Sequence, residues 1–398
     1  MCFNYNGYSP QWIGTYSFDG FSSGMNGMGN VGNQGINMGI CNPTAPPMYQ
    51  TPPSQYCNQA IPQSTLGTSQ YVENSTVAVK YLFGTPSIKT NPNFNPMADA
   101  NTLRNAMKGF GCDKNRILKV LCTCANWQRQ QIYNSFLQMF GKDLIRELKS
   151  ELSGDFEDLI VALMTRPAEY DAKELHRSMK GLGTRENILI EIMCSRSNSE
   201  IHQIKSVYQQ LYGRNLENDI CGDTSGYFKN FLLCLCAGNR NESGLVDQMS
   251  AQQTANTLYQ AGEGRLGTDE STFLNILCSQ NFAQLKFIFS EYHRLTGHTM
   301  GYAIEAEFSG DIKNGLLGLY EITMNRPAFF ATQFENSMKG LGTKDKDLIR
   351  LTVTRSEIDM IDIRNEYFRM YGRTLQERII GDTSGKYRQS LLTLVEGN

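Results

Sequence analysis

From about Pro86 to Asn398 the hydrophobic positions of this chain recur with helical spacing. Ile132, Phe136 and Met139 stand at i, i+4 and i+7, and Gly141 follows two residues later. The same figure returns as Ile204, Tyr208, Leu211 and Gly213, then as Ile288, Tyr292, Leu295 and Gly297, and again as Ile363, Tyr367, Met370 and Gly372. This spacing lines one face of a helix with apolar side chains, and the glycine reads as its C-terminal stop. Alternation of apolar and polar residues, the mark of strands, is not sustained. The pattern predicts an all-α array of four packed repeats, each with room for four or five short helices.

A second pattern keeps the same register. A glycine-bearing loop is followed, forty residues after its last glycine, by a carboxylate. The pairs are Gly111 with Glu151, Gly183 with Asp223, Gly267 with Glu307 and Gly342 with Asp382. The loops read Met107–Gly111, Met179–Gly183, Gly262–Gly267 and Met338–Gly342, with periods of 72, 84 and 75 residues between their last glycines. One such pair is an ordinary turn; four at one offset imply a loop and a distant acid that converge. Glycines let backbone carbonyls turn toward one centre. A carboxylate added to them makes a site of oxygens alone, suited to a hard cation such as calcium.

These registers divide the chain into a tail (1–85), a first repeat (86–160), a second (161–237), a linker (238–250), a third (251–321) and a fourth (322–398). The linker GNRNESGLVDQMS is polar and Gly/Asn-rich, and divides the array into two halves. The tail has no Lys or Arg before Lys80, and only Asp19 and Glu73 carry negative charge. Gly, Asn, Gln, Ser, Tyr, Met and Pro dominate it, a composition that predicts disorder and permits self-association.

A net charge of −2 gives no strong field, and the basic, base-stacking patches of a nucleic-acid binder are not visible. The N-terminus lacks the charged and apolar regions of a secretory signal, and no apolar run approaches a bilayer span. Eleven cysteines, most of them in helical patterns (Cys122, Cys124, Cys194, Cys234, Cys236, Cys278), read as buried free thiols in a reducing compartment. The expected location is cytoplasmic and reversibly at membrane surfaces.

The stretches Met179–Thr184 (MKGLGT) with Gly222–Gly226 (GDTSG), and Met338–Thr343 with Gly381–Gly385 (GDTSG), resemble annexins. So do Arg104–Gly109 and Ser150–Leu152 of the first repeat. The resemblance covers roughly the last 310 residues and implies four repeats of five helices in a curved disc. It also implies Ca2+ bound on the convex face and docking there onto anionic phospholipid. The ligands it implies are backbone carbonyls with one carboxylate per repeat. They are Met107, Gly109, Gly111 and Glu151; Met179, Gly181, Gly183 and Asp223; Gly262, Arg265, Gly267 and Glu307; and Met338, Gly340, Gly342 and Asp382. Phe110, Leu182, Leu266 and Leu341 stand at matching loop tips, where apolar side chains reach the interfacial layer. The sequence departs from the family at Cys112, where a Thr is usual, and at Lys114, where an acid is common. An Arg before the third helix is present as Arg196 and Arg355 but replaced by Cys124 and Gln280. Asp171 and Glu174 match the acids of the family's central hydrophilic channel.

Other readings fare less well. Gly262, Gly264 and Gly267 fit a nucleotide-binding G-x-G-x-x-G, but they follow a helical pattern and align with three loops that lack it. His176, His202, His293 and His298 are scattered without a Ser or Cys partner, so the chain reads as a non-enzyme with no catalytic residues. The remaining alternative is a calcium-independent helical scaffold whose tail recruits partners.

Overall fold

The computed structural model describes residues 84–398 except Phe110 and Leu182. The reading of the tail therefore falls outside the described residues, save at Gly84 and Thr85. The described residues form nineteen α-helices and no strand. The first repeat holds α1 (Pro96–Ala106), α2 (Lys114–Leu121), α3 (Asn126–Phe140), α4 (Leu144–Glu151) and α5 (Gly154–Met164). The second holds α6 (Pro167–Met179), α7 (Glu186–Ser195), α8 (Asn198–Tyr212), α9 (Leu216–Asp223) and α10 (Gly226–Cys236). Next come α11 (Gln248–Ala261), α12 (Glu270–Ser279), α13 (Phe282–Thr296), α14 (Met300–Glu307) and the long α15 (Gly310–Met338). The chain closes with α16 (Asp345–Arg355), α17 (Met360–Tyr371), α18 (Leu375–Asp382) and α19 (Gly385–Glu396). Helix α15 is two helices joined at Asn325, whose φ of −154° and ψ of 88° are not helical. The Asn325 side chain accepts from Ala328 N at 3.1 Å and caps the second half, where Pro327 needs no N–H partner. Counted by halves, every repeat has five helices.

The predicted stops hold: Gly141, Gly213, Gly297 and Gly372 end α3, α8, α13 and α17 in the left-handed region. The stripe itself is shifted. The i and i+4 columns are fully buried, but Leu211, Leu295 and Met370 at i+7 are exposed and Met139 is half-buried. That column lies in the last turn, which projects past the core. Burial continues instead at i−3, as Ile201, Leu285 and Met360, with Arg129 in the same column of the first repeat.

A buried cation in an apolar column needs partners. Arg129 Nη1 donates to Leu121 O and Cys124 O at 3.0 and 2.7 Å, and its Nη2 pairs with Glu357 of the fourth repeat. Both Glu357 oxygens also accept from Asn126 N at 3.0 Å, capping α3. In the third repeat Arg240, from the linker, donates to Leu277 O and Gln280 O at 2.9 and 2.7 Å. The two repeats that lack the expected arginine thus receive a guanidinium at the same helix end from elsewhere. Arg196 holds both oxygens of Asp171, at 2.7 and 2.9 Å, and Arg355 holds both of Asp359, at 2.8 and 2.6 Å.

The repeats do not pack as two sequential halves. Helix α5 packs on α16 and α19, and α2 on α19, joining the first repeat to the fourth. Helix α10 packs on α12 and α15, and α7 on α15, joining the second to the third. The segment 85–88, which leads into the first repeat, lies on the fourth. Thr85 N donates to Asp362 Oδ2 at 2.5 Å, and Ser87 N and Ile88 N both donate to Ser356 O at 2.9 Å. Asn398 Nδ2 reaches Thr123 O of the first repeat at 2.7 Å.

Candidate functional site

Each predicted acid is the last residue of an eight-residue helix: Glu151 of α4, Asp223 of α9, Glu307 of α14 and Asp382 of α18. Each predicted loop leaves the first helix of its repeat, at Met107, Met179, Gly262 and Met338. The residue after the last loop glycine joins the two. Thr184 Oγ1 donates to Asp223 Oδ2 at 2.8 Å, and Thr268 Oγ1 to Glu307 Oε2 at 2.5 Å. Thr343 Oγ1 donates to Asp382 O at 3.2 Å and lies 3.4 Å from Oδ2. In the first repeat Cys112 takes this place. Burial raises its thiol pKa, and the neighbouring Glu151 charge raises it further. In three repeats the Thr that follows the loop thus bonds to the acid residue, and in the first Glu151 lies near enough to Cys112 for its charge to act on the thiol.

Seven of the loop glycines have positive φ. Gly181 and Gly183 have φ of 114° and 84°, and Gly340 and Gly342 have 105° and 81°. These angles strain any L side chain. Gly109, Gly111 and Gly267 share the positive sign. No atom lies within 4 Å of a Cβ placed at any of these seven, so the glycines serve backbone conformation and an open surface.

The third loop is built differently. Gly262 has a φ of −124°, and its carbonyl accepts from Arg265 N at 3.0 Å. Gly264 N donates to Tyr259 O at 2.8 Å, and a Cβ there would lie 2.8 Å from the same oxygen. The loop thus folds back on the end of α11, and Gly262 O already carries one hydrogen bond. Glu307 still reaches it: a Cβ on Gly262 would lie 3.3 Å from Glu307 Cγ.

The fourth site holds a group that the sequence reading missed. The Arg378 guanidinium donates through Nη1 to Asp382 Oδ1 and through Nη2 to Met338 O, the carboxylate and first carbonyl of the proposed ligand set. One positive group therefore contacts both, so these two oxygens face a common point. The signal lay in the column four residues before each acid, which reads Glu147, Asp219, Ala303 and Arg378. Among the described residues no three His, Cys, Asp or Glu side chains gather as a metal cluster. One carboxylate with several carbonyls fits calcium, which takes oxygen ligands in flexible geometry, better than zinc.

Buried tyrosine hydroxyls brace three of the sites. Tyr208 donates to Asp219 at 2.6 Å, Tyr292 to Glu263 at 2.6 Å, and Tyr367 to Glu335. Phe136 occupies this column in the first repeat and needs no partner. Of the four apolar loop tips, Leu266 and Leu341 are fully exposed, and Phe110 and Leu182 lie outside the described residues.

The sequence model of the annexin family matches residues 98–163, 170–235, 253–319 and 329–394. The chain belongs to the annexin family. Annexin A7 of Macaca fascicularis is 45% identical over 354 residues, which cover 89% of this chain and 72% of that protein. Human annexin A11 is 50% identical over 307 residues, 77% of this chain and 61% of its own length. Human annexin A4 is 47% identical over 312 residues, 78% of this chain and 98% of that protein. Against human annexin A11, then, the chain spans under two thirds of the relative. Among solved structures, annexin III has a TM-score of 0.78 at 41% identity, covering 80% of this chain and 99% of that one. Chicken annexin V in complex with Zn2+ has 0.74 at 43%, covering 79% and 100%. A calcium-bound annexin, (Sm)1, has 0.73 at 32%, covering 78% and 93%. Annexins are calcium-dependent phospholipid-binding proteins, and the all-α fold of this chain is theirs.

Proposed function

We propose that this annexin binds anionic phospholipid membranes reversibly and only with calcium, through the four loop–acid sites. The observation that carries the reading is the repeated placement of one helix-terminal carboxylate against one glycine loop. The carbonyls of Met107, Gly109 and Gly111 with Glu151, and of Met179, Gly181 and Gly183 with Asp223, would hold the ion in the first two repeats. Those of Gly262, Arg265 and Gly267 with Glu307, and of Met338, Gly340 and Gly342 with Asp382, would hold it in the others. Bound calcium supplies a hard divalent centre with coordination positions left for lipid phosphate or carboxylate oxygens.

The remaining work belongs to the chain. One carboxylate per site keeps each site weak, so release is easy when calcium falls. Four sites in one folded unit raise the effective concentration of later contacts after the first. Leu266 and Leu341 offer apolar tips beside two of the loops, suited to the headgroup boundary. No helix among the described residues is long and apolar enough to cross a membrane, in keeping with a peripheral attachment. The assigned location is cytoplasmic, at membrane surfaces when calcium rises, and the tail is assigned to self-association or partner binding. Sedimentation with phosphatidylserine vesicles tests the reading. The protein should pellet in calcium and return to the supernatant in chelator. Equal pelleting in both would sink it, and pelleting in neither would favour the calcium-independent scaffold.

A further inference from the structure

The position after the loop Thr or Cys alternates in character. It is Asp113 and Asp269 in the first and third repeats, Arg185 and Lys344 in the second and fourth. The two aspartates cap the helices that follow. Asp113 accepts from Asn115 N at 3.1 Å and Asp269 from Thr272 N at 3.2 Å. The caps at Arg185 and Lys344 make no side-chain hydrogen bond, so α7 and α16 each forgo about 1 kcal/mol of capping. In place of that stabilisation, both cations face one cavity.

The cavity has a volume of about 490 Å3 and is lined by Arg185, Asn187, Gln333, Asn336, Lys339, Lys344 and Asp347. Three cations thus face a single carboxylate, and that carboxylate is already engaged. Arg185 Nη2 contacts both Asp347 oxygens at 2.8 and 2.9 Å, and Arg350 Nη1 reaches Oδ1 at 2.7 Å. Lys339 and Lys344 have no ion-pair partner among the described residues, and both are exposed. The side-chain amides of Asn187, Gln333 and Asn336 make no hydrogen bond among the described residues either. Two unpaired ammonium groups and three amides without a protein partner among the described residues thus line one concavity, whose single carboxylate is already engaged. Phosphate monoesters supply what is missing: about two negative charges and three strong acceptor oxygens. Lys339 belongs to the fourth loop and Arg185 follows the second, so the cavity opens beside two candidate calcium sites.

We propose that this cavity binds a phosphate monoester group, independently of calcium, and that the group is carried by a phosphorylated lipid headgroup or by a free phosphate compound. The site goes beyond calcium bridging, because its donors are the chain's own cations and amides.

The test is run in chelator on the full chain. Calorimetry with inositol trisphosphate and with inorganic phosphate measures the soluble arm. Flotation with vesicles of phosphatidylinositol bisphosphate, against phosphatidylserine vesicles of equal surface charge, measures the lipid arm. The double variant Lys339→Gln/Lys344→Gln should weaken inositol trisphosphate binding by roughly tenfold or more. Lys108→Gln/Lys114→Gln removes the same charge at the first loop and should leave that binding within about twofold. Preference for the bisphosphate vesicles assigns a lipid; soluble binding without vesicle preference assigns a free phosphate compound. No binding of the soluble anion, or equal losses in the two double variants, overturns the proposal. None of these outcomes depends on whether the loops bind calcium.

Discussion

Arg378 shows how one side chain can set one site apart from three others built on the same plan. It holds Asp382 and the Met338 carbonyl together. Any cation at that site must first displace a guanidinium carrying two hydrogen bonds to the same oxygens. A hydrogen bond to a charged group contributes about 1.5–3 kcal/mol. Arg378→Ala, which imitates Ala303 of the third repeat, is therefore expected to lower the calcium needed at the fourth site roughly tenfold. Terbium or calcium titration of the protein alone reads this shift, and adding Asp382→Ala should abolish it. An unchanged titration would mean that the arginine yields at no cost. The four acids and their loops were legible in the sequence because they recur at one offset. Arg378 was not, because a search for what recurs passes over the position where a single repeat departs. Arg185 and Lys344 escaped for a further reason: alignment displays their charge, but nothing in one dimension shows that they share a cavity.

At the scale of the helix, the eight-residue segments that end on the acids act as rulers. Their buried residues, Leu144 and Leu148 in α4 and Leu375 and Ile379 in α18, fix the helix against the core and so fix where its last residue falls. The apolar spacing and terminal glycines predicted α3, α8, α13 and α17 well, but not these shorter helices. It misjudged the i+7 column, since spacing reports a helix face but not which of its turns clears the core. The contact between α3 and the fourth repeat was also invisible, because Arg129 and Glu357 are 228 residues apart. Glu357→Ala would leave Arg129, which is 1% exposed, as a buried charge without its acid and would uncap α3. Removing one partner of a buried pair costs about 3–5 kcal/mol; the partial exposure of Glu357 places the expected loss at the lower end, near 3 kcal/mol. Urea unfolding should show a lower midpoint, and Glu357→Gln, which keeps the cap acceptor, should lose less. Equal stability of all three proteins would remove the pair from the account.

For the whole molecule, four sites predict a steep calcium response, and the tail predicts a second activity. A tyrosine-dotted segment whose only charges are Asp19, Glu73 and Lys80 has no net electrostatic attraction to anionic lipid, so tail–tail pairing between membrane-bound molecules is its expected contribution. Deleting residues 1–80 keeps Gly84–Ser87 and their bonds to the fourth repeat. The shortened protein should bind vesicles at the same calcium but aggregate them less, by light scattering at matched bound protein. Equal aggregation would place bridging on the helical unit. Repeat number and helix content were legible; the pairing of first with fourth and second with third was not, since it rests on contacts between distant segments. That pairing has a thermodynamic consequence. A linear array of repeats unravels from its ends, because a terminal unit has one neighbour and melts first. Here the first repeat leans on the fourth, the fourth exchanges Asp347–Arg185 and Arg350–Glu191 ion pairs with the second, and the second packs on the third. The fourth repeat, which carries the C-terminus, is therefore an interior unit held on two sides, so this helical array does not fray from its C-terminal end.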